Sequence, residues 1–201
     1  MNTVREGWQV PATQVKSPAP LRLALQEMTA RLLDRASDKP IRQLMLVGVS
    51  PQVGTSFVAG HWAALLAPVY ANVLLIECRA DTADTLADAP LPAETAARGP
   101  VTRLRLPESA CLAMVRTRNS AEWHQAFDLV LWDLPPLTVS PAALLLARHV
   151  DGIVLLAQAR RTRRQVALHS ALRLQESGGK VLGVVLNRTL NFIPSWIYRL
   201  L

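Results

Sequence analysis

The sequence predicts an α/β protein, with a mostly parallel, twisted sheet inside a three-layer α/β/α sandwich. Apolar segments typical of buried strands alternate with helical apolar periods along most of the chain. The run NVLLIEC at 72–78 is so continuously apolar that both faces of this strand must be covered, as in parallel sheets between helices. Half of the 201 residues are apolar, which is enough for the core of one domain with short extensions.

That one domain is expected over residues 21–188. Residues 1–20 contain three prolines and are expected to form an extended N-terminal arm, and residues 189–201 a short apolar C-terminal tail. Strands are predicted at 41–49, 72–78, 101–106, 127–132, 151–158 and 180–187. Helices are predicted at 21–36, 55–67, 108–116, 120–126, 140–149 and 162–177, the last one capped by Thr162. Residues 79–100 show little period, and we expect loops with at most one short helix there.

Charge and cysteine content indicate the kind of partner and compartment. The chain has 22 Lys and Arg against 15 Asp and Glu, a net charge of +7, which favours an acidic partner or serves solubility alone. Two cysteines do not make a disulfide framework, so a reducing compartment is expected. Residues 57–76 lack Asp, Glu, Lys and Arg, but Gly60, His61, Pro68 and Asn72 favour a helix and a strand over a membrane span.

The stretch LMLVGVSPQVGTSFVAGHWAALL at 44–66 has the plan of a phosphate-binding loop. A buried strand leads through a turn of small residues into a helix, whose N-terminal N–H groups attract anions. The lysine that such a loop places after its last glycine is absent, because Thr55 follows Gly54. Glu77–Arg79, Asp133 and Asn187 also follow predicted strands, so they are expected at the same edge of the sheet, where ligands bind.

Five phrases in this order resemble the cytoplasmic P-loop domain of bacterial tyrosine autokinases. They are SPQVGTS, NVLLIECR, FDLVLWDLPPL, DGIVLLAQARRTRR and KVLGVVLNR. These kinases belong with the MinD/ParA-like ATPases and control capsule and exopolysaccharide synthesis. The resemblance covers residues 21–188 and implies a P-loop NTPase-like fold with ATP or ADP and Mg²⁺ as ligands.

By position, the resemblance assigns roles to several of these residues. Gly54 matches the last loop glycine, Ser56 and Asp133 match the Mg²⁺ site, and Asn187 matches the asparagine that reads adenine. Thr55 stands where the family has its phosphate-binding lysine, which makes the Walker A motif degenerate. A loop glycine is replaced by Gln52.

The acidic motif of the second strand also departs from the family. Glu77 replaces one aspartate, and Arg79 replaces a second and reverses its charge. If the protein is active, Glu77 and Asp133 are the catalytic candidates. If nucleotide binding is retained, Arg79 is expected to bind the nucleotide together with the loop residues and Asn187. We expect Arg79 to pair with Asp133 or Glu77 and to take over the charge-balancing role of the metal. Two alternatives stay open: Arg79 grips a nucleotide phosphate, or the loop is an empty frame.

Two further features predict a partner or membrane surface. Arg160, Arg161, Arg163 and Arg164 cluster where a helix begins, and positive charge there opposes the helix dipole. An acidic lipid head group, phosphate or protein would compensate, although a solvated turn is the simpler reading. The apolar tail around Trp196 could lie on a membrane, on a partner or on its own domain.

The sequence therefore predicts a non-catalytic or weakly active member of the autokinase type, a pseudokinase. The resemblance implies a role in exopolysaccharide or capsule biosynthesis and export, at the cytoplasmic face of the inner membrane, through a membrane chain-length regulator or co-polymerase. A homo-oligomer stays open, and nucleic acid is not expected as a partner. The alternatives are an active ATP-dependent tyrosine autokinase with an atypical site, and a MinD/ParA-like positioning or partition protein that binds membrane or DNA.

Overall fold

The protein folds around one seven-stranded sheet with the strand order β3–β4–β2–β5–β1–β6–β7. The structure, a computed structural model, describes residues 22, 23, 25–30, 40–80, 94–98, 101–116 and 126–187. The strands are β1 (Gln43–Gly48), β2 (Val73–Arg79), β3 (Glu94–Arg98), β4 (Val101–Pro107), β5 (Leu129–Leu134), β6 (Gly152–Gln158) and β7 (Val181–Asn187). Every neighbouring pair is parallel except β3 with β4, which confirms the mostly parallel sheet.

Helices cover both faces of this sheet. They are α1 (Thr55–Leu66), α2 (Glu108–Arg116), α3 (Ala142–Leu146), which continues as a 3₁₀ turn over Ala147–His149, and α4 (Arg164–Glu176). Alternate residues of β1 enter two separate cores: Leu44 and Leu46 pack with Trp62 of α1, and Met45 packs on the opposite side with Leu174 of α4. The predicted three-layer sandwich follows from this alternation.

Two carboxylates link neighbouring strands at the opposite edge of the sheet, where the strands begin. They belong to the phrases FDLVLWDLPPL and DGIVLLAQARRTRR. The Asp128 carboxylate accepts a hydrogen bond of 2.9 Å from the Asn72 backbone N–H. The Asp151 carboxylate accepts bonds of 2.9 Å from the backbone N–H groups of Arg42 and Gln43. These carboxylates satisfy N–H groups at the starts of neighbouring strands, so their role here is structural.

The structure corrects two local predictions. The loops expected over 79–100 are wrong for Glu94–Arg98, which form an edge strand antiparallel to β4. Thr162 does not cap α4: its hydroxyl accepts a 3.0 Å hydrogen bond from the Gln158 N–H, and the helix begins after Arg163.

Other predictions are confirmed or fall outside the described residues. Residues 25–30 are helical, in agreement with the predicted first helix. The region 57–76 divides into α1 and β2, and no helix among the described residues is long and apolar enough to cross a membrane. The N-terminal arm, the helix at 120–126 apart from residue 126, and the tail lie outside the described residues.

Candidate functional site

The loop between β1 and α1 has the backbone of an anion-binding turn. Gln52 and Gly54 have φ values of +62° and +85°, so left-handed residues orient the loop before the helix begins. A Cβ on Gly54 would lie 2.5 Å from Nδ2 of Asn187, so both the backbone conformation and this close approach require glycine. Gln52 adopts the left-handed conformation without being glycine, at a cost of about 1–2 kcal/mol.

The first residues of α1 divide between the core and the site. Thr55 is only 9% exposed, and its hydroxyl lies near Gly48 at the end of β1. Residue 55 therefore brings no positive charge to the loop. Ser56 hydrogen-bonds Asp133, so the predicted pair comes together. The loop, Ser56 and Asp133 line a cavity of about 330 Å³ together with residues 134–136.

Asp133 lies near the end of β5 and is 5% exposed. Burial raises the pKa of its carboxyl from 3.8 to about 6, because the charged form loses water. The hydrogen bond with Ser56 and the charge of Arg103 lower this pKa, while the nearby charge of Glu77 raises it. The carboxyl therefore ionises close to neutral pH.

Glu77 of β2 faces Asp133 across the sheet and is held by two arginines of β4. Arg103 Nη1 donates to Glu77 Oε1 at 2.9 Å, and Arg105 Nε donates to Oε2 at 2.8 Å. Burial alone would raise the pKa of Glu77, but the hydrogen bonds from Arg105 and Arg103 outweigh it and lower the pKa. Each carboxylate oxygen already accepts a charge-assisted hydrogen bond.

Sequence reasoning missed these two arginines. The signal was present in the alternation VTRLRL, which places Arg103 and Arg105 on one face of β4. The sequence does not show which strand lies beside β4. In the structure β4 pairs with β2, and Glu77 lies opposite Arg105 in the register.

The prediction for Arg79 is wrong. This residue is exposed at the end of β2, and no ion pair joins it to Glu77 or Asp133, all three of which lie in the described part of the chain. Its register partner is Pro107, beyond the arginines of β4. The cations that approach Glu77 come from the neighbouring strand rather than from its own.

Asn187 lies at the site, as predicted. It ends β7, and its side-chain N–H donates a 2.8 Å hydrogen bond to the Val53 carbonyl in the loop. This contact supports the loop backbone. Its role as a reader of adenine stays a prediction.

The basic cluster lies in the turn between β6 and α4. Arg160, Arg161, Arg163 and Arg164 are all exposed, and Arg160 has a φ of +65°. β6 runs parallel to β1, so this turn follows the same edge of the sheet as the loop. Trp196 lies outside the described residues.

A magnesium ion that used Glu77 as a ligand does not fit the residues present. Ser56 and Asp133 are adjacent, but both oxygens of Glu77 are engaged by guanidinium groups. A divalent cation placed beside this carboxylate would meet two positive charges. The described residues also contain no group of three or more His, Cys, Asp or Glu that could hold a metal ion.

Comparison with known proteins identifies similar sequences and folds. No protein-family model matches the chain. The tyrosine-protein kinase wzc of Salmonella typhimurium is 30% identical over 169 residues, which cover 72% of this chain and 23% of that kinase. The tyrosine-protein kinase CpsD of Streptococcus agalactiae is 30% identical over 70 residues, 35% of this chain and 30% of CpsD. The chain thus spans under a third of either relative.

Solved structures confirm the fold. The kinase domain of the Escherichia coli tyrosine kinase ETK superposes with a TM-score of 0.70 at 21% identity, covering 87% of this chain and 78% of that domain. The MinD cell division protein of Aquifex aeolicus superposes with a TM-score of 0.58 at 14% identity, covering 74% and 70%. The predicted P-loop NTPase-like architecture is therefore the observed one.

Proposed function

We propose, from the premise that this chain is related in sequence and fold to the kinase domains of bacterial tyrosine kinases, that it is a non-catalytic or weakly active member of that group. It keeps the frame of a nucleotide site and uses it as a binding domain. One observation carries this proposal: Glu77, at the position of a metal-site carboxylate, is engaged by Arg103 and Arg105.

The expected effect on catalysis is large. Phosphoryl transfer depends on fixed positive charge and metal ions at the phosphates rather than on covalent chemistry. The loss of one preorganised stabilising group typically costs about 3–4 kcal/mol, or a hundred- to a thousandfold in rate. Here residue 55 brings no cation, and the second acidic position is the cationic Arg79. These two changes act on the same step, so we expect at most residual turnover of Mg-ATP.

The biological role follows by analogy with the kinase relatives. We propose that the chain acts in capsule or exopolysaccharide biosynthesis and export, at the cytoplasmic face of the inner membrane. Its partner would be a membrane chain-length regulator or co-polymerase. The exposed arginines at 160, 161, 163 and 164 support a contact with an acidic surface, either a protein or lipid head groups. Trp196 in the tail is proposed for the same contact.

An active autokinase with an atypical site is the second candidate. Ser56 and Asp133 are joined as a metal-binding pair would require, and the loop backbone has the expected left-handed residues. Under this alternative, Asp133 would hold Mg²⁺, and a cation from another part of the chain would reach the phosphates, because Thr55 carries no charge.

Phosphate release and phosphotyrosine, measured on the purified chain with Mg-ATP, separate the two candidates. The proposal predicts no turnover beyond that of Asp133→Asn. Turnover that depends on Mg²⁺, lies well above a residual rate and is abolished by Asp133→Asn would contradict it and support the autokinase. The variant Asp128→Asn serves as a control for general damage, since that carboxylate lies at the opposite edge of the sheet.

A further inference from the structure

We propose that residues 188–194, which follow β7 directly, pack back onto an apolar surface shared by β7 and α4. This surface, the outer patch, consists of four exposed apolar side chains, those of Leu168, Leu172, Val184 and Leu186. The contact is made within one chain. It goes beyond the proposed function and holds whether or not the protein turns over ATP.

The final strand supplies half of the outer patch. β7 is the last strand of the sheet, and no strand among the described residues pairs with its outer side. Val185 packs against the core on the side of α1, so the alternating side chains of Val184 and Leu186 point to the face that α4 covers. On that face Val181 is packed against the core, but Val184 and Leu186 remain 46% and 60% exposed.

The helix α4 supplies the other half. Its buried residues are Ser170 and Leu174, and at about 100° per residue Leu168 and Leu172 lie on one flank of that buried side, with Val166 on the other. The connection from β6 through α4 to β7 joins parallel strands and is therefore expected to be right-handed. This hand turns the flank with Leu168 and Leu172 toward the open side of β7, and it turns Val166 toward α3.

The two outer strands of the sheet differ in how they are protected. β3 carries a charge at each end, on Glu94 and Arg98, which is a common way to discourage pairing with another chain. β7 has no charged residue from Val181 to Asn187, and apolar side chains beside it are exposed. An apolar edge of this kind is an association site unless another segment covers it.

The segment that follows β7 has the composition and the reach to be that cover. It contains Leu190, Phe192 and Ile193, and residues 189–198 include no charged side chain. Phe192 comes five residues after Asn187, which allows up to about 17 Å of extended chain, more than the roughly 10 Å between packed elements. A segment tethered this closely has an effective concentration on the order of millimolar, which favours it over a second copy of the chain.

The docked segment brings the rest of the tail to the basic turn. Arg164 and Leu168 are four residues apart in α4, so they lie on the same flank, one helical turn from each other. Trp196 follows the docked segment by two residues and starts from this flank. The arginines and Trp196 thus belong to one surface, available to the acidic partner proposed above.

Disulfide cross-linking of the full chain tests the contact. Asn191→Cys is combined with Leu168→Cys in one protein and with Val166→Cys in the control; both helix positions are exposed, but on opposite flanks. Oxidation with copper phenanthroline is expected to form the intramolecular disulfide at least about tenfold faster in the Leu168 pair. Cys78 and Cys111 are buried and stay in place. Adding Phe192→Asp should reduce the rate to that of the control.

Maleimide labelling of the single variants is a second readout. Leu168→Cys is expected to react several-fold more slowly than Val166→Cys, and Phe192→Asp should remove this protection.

Three results would overturn the proposal. Equal cross-linking of the two pairs would show that the segment does not lie on the outer patch. Disulfides formed only between two chains would assign the patch to a second copy. Protection of Leu168→Cys that appears only with phosphatidylglycerol vesicles would assign it to a membrane. Each result leaves the non-catalytic function standing, because that function is tested separately by Mg-ATP turnover.

Discussion

The phosphate loop and the acidic pair at Glu77 and Asp133 meet at the same edge of the sheet, but they are built from different parts of the chain. The loop is made of backbone, with left-handed residues at 52 and 54 and the N-terminus of α1. Its backbone has this conformation although Gln52 is not glycine and Thr55 brings no positive charge. Substitution here changes charge while the geometry persists.

The acidic pair is made of side chains, and its chemistry is set by their neighbours. Two arginines on the neighbouring strand engage the carboxylate of Glu77, and burial brings the pKa of Asp133 to about 6. The two halves of the site therefore depend on different features. The loop depends on backbone conformation, and the charge of the acidic pair depends on side chains of the adjacent strand.

Asp133→Asn should have the largest effect on stability, and the effect should depend on pH. The pKa of Asp133 is raised in the fold, from 3.8 to about 6, so its favourable contribution is complete below pH 3.8 and is lost as the pH rises through 6. At about 1.4 kcal/mol per pKa unit, the loss approaches about 3 kcal/mol. Urea unfolding from pH 4 to 8 should show the wild type losing stability relative to Asp133→Asn by up to that amount.

Parallel stability curves for the two proteins would contradict this account of Asp133. Glu77 changes stability in the opposite direction, because its lowered pKa contributes stability that is lost as the pH falls. Taking the difference between wild type and variant removes the part of the Glu77 contribution that does not depend on Asp133.

Glu77→Gln tests whether the arginine cluster is held by its carboxylate. The change removes two charge-assisted hydrogen bonds and leaves Arg103 and Arg105 without their anion. The arginine side chains are 30% and 46% exposed, so water compensates in part, and we expect a loss of about 2 kcal/mol in urea unfolding. Glu176→Gln, at an exposed position at the end of α4, should be near neutral, and equal losses for both variants would argue against a held cluster.

Gly54→Ala tests the backbone side of the comparison. The φ of +85° costs about 1–2 kcal/mol for alanine, and the new methyl group also crowds Asn187. Gly183→Ala is the control, because nothing lies within 4 Å of its added Cβ. Thermal unfolding should show a clear loss of stability for the first variant and little change for the second. A neutral Gly54→Ala would mean that the loop does not depend on this conformation.

Gln52→Gly should have the smallest effect and the opposite sign. Relief of the left-handed backbone outweighs the flexibility that glycine adds to the unfolded chain, for a net gain of about 0.5 kcal/mol. Gln165→Gly in α4 is the matched change in a right-handed helix and should destabilise by about 0.5–1 kcal/mol. Destabilisation of both variants to the same extent would show that Gln52 makes a contact worth more than its strain.

The sequence predicts most of the fold because apolar runs mark the parallel strands directly. It also brings Ser56, Asp133 and Asn187 together, since the ends of parallel strands share an edge. It does not predict β3, whose residues ETAAR have no apolar run and become a strand by pairing with β4. The arginine cluster was missed for a related reason, because alternation in β4 shows a face but not which strand lies beside it.

Thr55→Lys provides the most direct test of the difference between the two sides of the site. It supplies the cation that the loop lacks and leaves Glu77 with its arginines. The account predicts tighter ADP binding than in the wild type and no gain in Mg-ATP turnover, measured as phosphate release. Mg²⁺-dependent turnover restored by this single change would show that the acidic side is still a working metal site, and would contradict the account.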